Sequence, residues 1–278
     1  MLLRASIGGQ DYAWDTAEPI ELSSSQAFHW AEGALSLSLF GGGVPRAEPY
    51  RVGSFVGDTR QGGSVNVEVI TVAPHLHGTH TESIGHVTDE RVFLSYVLRE
   101  AFVPSTVISV VPVRASDTDE TTTPTPQPGD TLITARALAE AYARAGAREG
   151  FAEGLIIRTL PNEPSKRTAD YDQLQPAYFT AEAMALVVAW GVQHLVVDMP
   201  SLDRLDDGGA LTAHRLYWGL PPGSKSLREA RRPLATVSEL AFVPDALHDG
   251  PVILHLQVPP WLSDAAPSRI MAYVCTPE

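Results

Sequence analysis

Hydrophobic residues occur along the chain in short runs separated by turns. Runs rich in Val, Ile and Leu predict strands at 65–72, 106–113, 154–159, 194–198 and 251–258. Between them, one helix is predicted from Thr134 as N-cap to about Ala145, and another from Thr180 through Trp190. A glycine follows each helix, as is typical of helix C-termini. Strands that alternate with helices predict an α/β fold.

Two longer segments are predicted to be loops. Residues 116–130 carry three prolines among threonines, and residues 160–176 mix proline with polar and charged residues. The second loop follows a predicted strand and is a candidate cover for a site. No repeat or long linker interrupts the pattern, so we expect a single domain over residues 1–278.

Composition narrows the class of protein. No apolar stretch approaches the roughly 18 residues needed to cross a bilayer, and the N-terminus lacks the features of a secretory signal, which predicts a cytoplasmic protein that does not bind membranes. The only cysteine is Cys275, so any metal within one chain must bind His, Asp or Glu. The formal charge of -13 disfavours nucleic acid as a partner and leaves a small molecule as the expected one.

Four of the nine histidines lie in one window of twelve residues, where random scatter would place about 0.4. They are His75, His77, His80 and His86, with Glu82 among them. Buried imidazoles need partners for their ring nitrogens, and a metal ion is a common one. Imidazoles with a carboxylate suit Zn²⁺, Mn²⁺ or Fe²⁺.

Spacing indicates which of these side chains share an ion. In an extended segment His80 and Glu82 point to the same face, about 6.6 Å apart, and form the best ligand pair. His86 reaches the same ion only if the chain turns at 83–85, where Gly85 permits unusual backbone angles. We expect Gly78 to let His75 fold back toward His80, whereas His77 is the less favoured alternative.

Other histidines and aromatic residues are interpreted as structural. This applies to His29, His194, His248 and His255 taken singly, and to the aromatic residues Trp30, Phe40, Tyr171, Tyr217 and Trp218, although these five are also candidates for lining a substrate pocket.

The histidine window resembles the signature of the cyclase family of metal-dependent hydrolases, which includes bacterial kynurenine formamidase and isatin hydrolase. The family pattern is His-x-Gly-Thr-His-x-Asp-x-Pro-x-His. Residues 78–80 and His86 match it, and Glu82 stands for the Asp. The first histidine of the pattern falls on Leu76, so His75 or His77 replaces it. His75 is preferred because one branch of the family resembles Asn-Pro-His-x-x-Gly-Thr-His-Thr-Glu.

The resemblance continues along most of the chain, from about residue 62 to 272. The matching segments, in order, are Gly62–Asn66, Leu155–Thr159, Val197–Asp203, the segment around His214, the segment around Glu239, and Ala266–Arg269. In the family a histidine and a later glutamate complete the site. The resemblance implies that these are His214 and Glu239 here.

The resemblance also implies a fold, a cofactor and an assembly. The fold is a swivelling β/β/α fold with a mixed sheet and flanking helices, the cofactor is Zn²⁺ or, as the alternative, Mn²⁺, and the assembly is a homodimer or homotetramer. The implied ligands are His75, His80, Glu82, His86, His214 and Glu239. Because Glu is one methylene longer than Asp, simple ligation by Glu82 is favoured over bridging between two ions.

The expected reaction is hydrolysis of an amide, formamide-like or cyclic, as in an arylformamidase. A bound ion lowers the pKa of water toward about 7. His86 or His214 then takes the proton, with His86 preferred, while Glu239 binds a second ion or orients His214. Asp198 and Asp203 are interpreted as structural. The alternatives are a cyclase acting on lactones or esters, and a silent member of the fold that binds a metal or small molecule.

Overall fold

The structure, a computed structural model, describes residues 1–28, 37 and 39–278. Within this part of the chain the strands are β1 (Leu2–Ile7), β2 (Gln10–Asp15), β3 (Ile20–Glu21), β4 (Arg46–Pro49), β5 (Arg51–Val52), β6 (Phe55–Val56), β7 (Glu68–Thr71), β8 (His80–Glu82), β9 (Val103–Val110), β10 (Val113–Arg114), β11 (Thr131–Ile133), β12 (Gly154–Thr159), β13 (Tyr178–Phe179), β14 (His194–Val197), β15 (Thr236–Glu239), β16 (Gly250–Gln257), β17 (Ala265–Pro267), β18 (Arg269–Val274) and β19 (Thr276–Pro277). The α-helices are α1 (Leu94–Val97), α2 (Ala135–Arg144), α3 (Ala181–Ala189) and α4 (Thr212–Trp218). None of these helices is long and apolar enough to cross a bilayer.

A nine-stranded sheet forms the centre of the molecule, in the order β17-β8-β15-β14-β12-β9-β16-β18-β3. The four central strands β15, β14, β12 and β9 run parallel to one another. Antiparallel strands extend this sheet on both sides. The predicted mixed sheet with flanking helices is therefore confirmed.

Alternate residues of the central strands pack on opposite faces of the sheet. Leu155 and Ile157 join the core that α2, α3 and α4 cover, whereas Ile156 joins a second core on the other face with Val107 and Val196. Burial on both faces explains why β12 is apolar without alternation, apart from Arg158 and Thr159 at its end, and why the sequence pattern predicts it so clearly.

Most predicted elements are confirmed with small shifts of their ends. The strand at 154–159 is reproduced in full, and those predicted at 106–113, 194–198 and 251–258 correspond to β9, β14 and β16. The Thr134 and Thr180 hydroxyls each accept a hydrogen bond from the backbone N–H three residues on, which begins α2 and α3 as predicted.

The strand predicted at 65–72 is shorter and lies elsewhere than its apolar pattern indicates. It covers only Glu68–Thr71, pairs with β4 in a separate two-stranded sheet, and all four residues are exposed. Alternating valines favour a strand, but they do not specify which sheet the strand joins.

Candidate metal centre

The candidate site lies at the edge of the sheet where parallel strands β14 and β15 end. Glu239 is the last residue of β15, and the antiparallel register places it directly opposite His80, the first residue of β8. His80 Nε2 lies 3.4 Å from Glu239 Oε2. Because side chains alternate along a strand, Glu82 faces the same way as His80, while the Thr81 hydroxyl contacts the Ser238 hydroxyl at 2.7 Å.

Glu82 is at the centre of the cluster and is fully buried. Its Oε2 lies 3.0 Å from His75 Nδ1 and 3.7 Å from His86 Nδ1, and its Oε1 lies 3.2 Å from His214 Nε2. The two oxygens of one carboxylate therefore face two different sets of imidazoles.

His214 is brought to the site by the first turn of α4. Its Nδ1 lies 2.7 Å from Asp203 Oδ2, and Asp203 also accepts the backbone N–H groups of Ala213 and His214. Since a carboxylate accepts at Nδ1, that nitrogen carries a proton, and Nε2 faces Glu82 and Glu239. Asp203 is therefore a positioning residue.

Two glycines shape the chain around the ligand segment. Gly78 has a φ of 139°, and its carbonyl oxygen contacts His80 Nδ1 at 3.0 Å. Gly85 lies in a short 3₁₀ helix, Ile84–His86, which makes the predicted turn. Its φ is not in the left-handed region, contrary to the prediction; glycine is needed because an added Cβ would lie 2.6 Å from the carbonyl oxygen of Val92.

We expect Gly85→Ala to destabilise the protein by about 1–3 kcal/mol, because the new methyl group collides with backbone that cannot move independently. Denaturant unfolding of the metal-free protein measures the change. Gly129→Ala is the matched control, since a Cβ at Gly129 meets no atom within 4 Å and its φ is not left-handed. Equal stabilities of the two variants would contradict the expectation.

The protonation state of each side chain in the cluster depends strongly on its charged neighbours. Burial lowers the pKa of His75, but contacts with Asp264 and Glu82 outweigh burial and raise that pKa to about 10. Burial likewise lowers the pKa of His214, yet Asp203, Glu239 and Glu82 raise it well above its usual range. Without a cation, the carboxylates therefore keep protons on these two imidazoles, and a bound cation would compete with those protons.

The pKa values of Glu82 and His86 are lowered, whereas those of His75 and His214 are raised. Burial raises the pKa of Glu82, but the surrounding His86, His214 and His75 imidazoles lower it well below its usual range. The Glu82 charge raises the pKa of His86, but burial and the His214 and His75 imidazoles together outweigh it. The pKa of His86 is therefore lowered. The lowered pKa of His86 favours its neutral form at neutral pH.

The residues fit a metal ion. Four buried ligand atoms have no hydrogen-bond partner of acceptable geometry among the described residues: His80 Nε2, Glu82 Oε1, Glu82 Oε2 and His214 Nε2. Each unsatisfied buried polar atom costs about 1–3 kcal/mol, so four at one point indicate a missing common partner. Imidazole nitrogens with carboxylate oxygens match the preferences of Zn²⁺ and Mn²⁺.

Two groups of side chains within the described residues could each hold an ion. One consists of His75, Glu82 and His86, and the other of His80, Glu82 and Glu239, with the ligand atoms of each group within 4.8 Å of one another. Glu82 belongs to both groups. The Glu82 carboxylate could therefore ligate an ion held by either group.

The structure brings together all six predicted ligands, which are His75, His80, Glu82, His86, His214 and Glu239. His77 lies apart from them: its Nδ1 accepts a hydrogen bond from the backbone N–H of Ala73. His194, buried at the first residue of β14, contacts the Thr236 hydroxyl, His248 is exposed, and His255 lies 4.7 Å from the Phe102 ring.

Of the aromatic candidates, Tyr217 and Trp218 are fully buried in the core, Tyr171 is buried and Phe40 is exposed. His29 and Trp30 lie outside the described residues.

Asp264 is a member of the cluster that the sequence did not reveal. Its Oδ2 lies 2.9 Å from His75 Nε2 and 3.9 Å from His86 Nδ1, and it immediately precedes β17, the neighbour of β8. Asp264 is separated from His75 by 189 residues. Only the pairing of β17 with β8 brings the two together, and no short motif indicates that pairing.

Asp198 follows β14, and its contacts are those of a structural residue. It is buried, accepts two hydrogen bonds from Thr159, and pairs with Lys166 Nζ at 2.9 Å. Burial raises the pKa of Asp198, while Lys166 and Thr159 oppose that rise. The pair ties the loop at 160–176 to the end of β14, and the sequence did not single out Lys166.

Residues 13–204 match the family model described as "Putative cyclase". This segment is more than half of the chain, and the chain belongs to the cyclase family. No curated protein matches the chain significantly.

Several solved structures share this fold. An isatin hydrolase bound to the product analogue thioisatinate is 17% identical with a TM-score of 0.58, covering 94% of this chain and 93% of that chain. Isatin hydrolase A from Labrenzia aggregata bound to benzyl benzoate is 13% identical with a TM-score of 0.58, covering 92% and 93%. A predicted metal-dependent hydrolase from Bacillus stearothermophilus is 12% identical with a TM-score of 0.55, covering 92% and 98%. At these identities the likeness establishes the fold alone.

Proposed function

We propose that the protein is a metal-dependent hydrolase that cleaves an amide bond, formamide-like or cyclic, of a small molecule. The observation that carries the proposal is the buried Glu82 carboxylate, whose two oxygens face separate imidazole sets without hydrogen bonds. Such a carboxylate is costly to bury unless cations neutralise it. Membership of the cyclase family and structural likeness to hydrolases support the same function.

We propose that two divalent ions bind, Zn²⁺ being preferred and Mn²⁺ the alternative. His75, Glu82 and His86 would hold one ion. His80, Glu82, Glu239 and His214 would hold the other, with Asp203 fixing the His214 ring. A bound divalent ion supplies a Lewis acid that polarises a carbonyl group and lowers the pKa of water.

The residues of the chain would supply proton transfer and orientation. His214 is a poor proton carrier because Asp203 engages Nδ1 and Nε2 faces two carboxylates. His86 is partly exposed, at 29%, and its lowered pKa favours the neutral imidazole. His86 is therefore the preferred base: where its imidazole is not bonded to an ion, a ring nitrogen of His86 would take the proton from water and return it to the leaving nitrogen.

A substrate panel tests the function. The metal-loaded enzyme is assayed with formanilide, isatin and the lactone dihydrocoumarin, beside His80→Ala with its metal content measured. We expect hydrolysis of formanilide or isatin, and loss of both metal and hydrolysis in His80→Ala. Hydrolysis of the lactone alone would instead indicate an ester-acting cyclase, and no turnover by a metal-loaded enzyme would indicate a binding protein. Metal content unchanged in His80→Ala would reject its assignment as a ligand.

Other expectations from the sequence stay predictions. They are the single domain over residues 1–278, the homodimer or homotetramer, the cytoplasmic location, and the absence of nucleic-acid and membrane partners.

A further inference from the structure

A small cavity lies beside the candidate metal centre, on the side of Gly78. It has a volume of about 220 Å³ and is lined by the segment that includes Gln26, by His77 and Gly78, and by Arg167 of the 3₁₀ helix Pro164–Thr168. Pockets for whole small molecules are usually about 300–1,000 Å³. The cavity is therefore of a size to hold one part of a substrate.

Side-chain nitrogens of Gln26, His77 and Arg167 supply hydrogen-bond donors around the cavity. The side-chain nitrogen Nε2 of Gln26 is buried and has no hydrogen-bond partner among the described residues. His77 Nδ1 accepts a hydrogen bond from Ala73, so its Nε2 carries the proton, 3.4 Å from the Gly42 carbonyl oxygen. The described lining contains no carboxylate. A ligand atom that accepts hydrogen bonds would match the unpartnered Gln26 donor.

Arg167 adds a positive charge that forms no ion pair within the described part of the chain. Its guanidinium lies 4.1 Å from the centroid of the Phe242 ring, and no carboxylate of the described residues forms an ion pair with it. The chain has a net charge of -13 with 33 acidic residues, so an arginine without an acidic partner is unusual in it. The Phe242 ring positions the Arg167 guanidinium at the cavity, where it can bind an anion.

The Gly78 peptide lies between the wall of the cavity and His80 of the metal centre. Gly78 lies so close to Gln26 that an added Cβ would be 3.0 Å from Gln26 Cγ, and the Gly78 carbonyl oxygen contacts His80 Nδ1 at 3.0 Å. A group bound against Gln26 would therefore lie beside the peptide that orients His80.

We propose that this cavity binds the carboxylate of an anionic substrate, with Gln26 and Arg167 as specificity-determining residues. The proposal rests on the proposed hydrolase function and names its substrate class: an amide of a small acid, such as an aromatic amide with a carboxylate on its ring. Arg167 would form charge-assisted hydrogen bonds with the carboxylate at the cavity mouth, and Gln26 would donate from inside.

A matched pair of substrates tests the subsite. The metal-loaded enzyme is assayed with 2-formamidobenzoate, which carries a carboxylate, and with neutral formanilide. The ratio of the two kcat/KM values is expected to fall about 10- to 100-fold in Arg167→Gln, the usual effect of losing a hydrogen bond to a charged group. Gln26→Glu places in the cavity a negative charge that repels the substrate carboxylate, with little change of side-chain shape. This variant is also expected to lower the ratio of kcat/KM values. Arg136→Gln, on the exposed face of α2, is the control and should leave the ratio unchanged. An unchanged ratio in both cavity variants would overturn the proposal.

Direct binding separates failure of the subsite from failure of the hydrolase function. Benzoate binding to the metal-loaded protein is measured by calorimetry, and its Kd is expected to rise about 10-fold or more in Arg167→Gln but not in Arg136→Gln. If wild type hydrolyses neither formamide yet shows this pattern, the function fails and the subsite stands. If benzoate does not bind, or binds both variants as it binds wild type, the subsite is rejected whatever the enzyme hydrolyses.

Discussion

Glu82→Gln is expected to remove both metal ions and to lower hydrolysis by at least about 100-fold. Glu82 is the only side chain that belongs to both candidate ligand groups, and both of its oxygens are buried and face imidazoles. A neutral amide offers one weakly donating oxygen and places N–H groups toward the other ion position. Loss of an outer-shell partner alone typically costs 10- to 100-fold in affinity or activity, so loss of a shared ligand should cost more.

Metal content by mass spectrometry and kcat/KM for the active amide measure the effect. Glu82→Asp keeps the charge and should retain part of the metal, whereas Glu140→Gln, on the exposed face of α2, should retain all of it. Thermal unfolding of each metal-free variant verifies the fold. A Glu82→Gln protein that keeps its full metal content would show that Glu82 is not a ligand.

Asp203→Asn is expected to weaken metal binding and hydrolysis about 10- to 100-fold while leaving the protein folded. Asp203 does not touch either candidate ion position through its own oxygens; it accepts the Nδ1 proton of His214 and two backbone N–H groups at the start of α4. An asparagine cannot accept all three hydrogen bonds, so the His214 ring is free to turn or to exchange its tautomer.

Asp207→Asn is the matched control for Asp203→Asn. Asp207 also accepts two backbone N–H groups in the same loop, those of Gly209 and Leu211, but makes no contact with His214. We expect both variants to lose about 1 kcal/mol of stability, as for loss of a capping side chain, and only Asp203→Asn to lose metal affinity in a chelator competition. Equal metal affinities in the two folded variants would assign Asp203 a purely structural role.

Sequence alone could predict those site residues that lie close together along the chain. The extended segment His80–Glu82 and the turn before His86 follow from side-chain alternation and a glycine, so the first ligands are predictable from spacing alone. His214 and Glu239 lie more than 130 residues downstream of Glu82, and only the family resemblance connected them to it.

The remaining features depend on tertiary contacts that no local pattern encodes. Asp264 joins the cluster because β17 pairs with β8, and Glu239 faces His80 because of the register between β15 and β8. From the sequence His75 is preferred as a ligand and His77 is the less favoured alternative. In the structure His77 contacts backbone groups at Ala73 and Gly42, which leaves His75 beside Glu82.

The most direct test of the account is anomalous X-ray diffraction from crystals of the protein supplied with Zn²⁺ or Mn²⁺. We expect anomalous peaks at two positions on either side of the Glu82 carboxylate, one bonded to His75 and His86 and the other to His80, His214 and Glu239, at about 2.0–2.2 Å from their ligand atoms. Absence of any anomalous peak bonded to Glu82 or His80 in metal-supplied crystals would show that this cluster is not a metal centre.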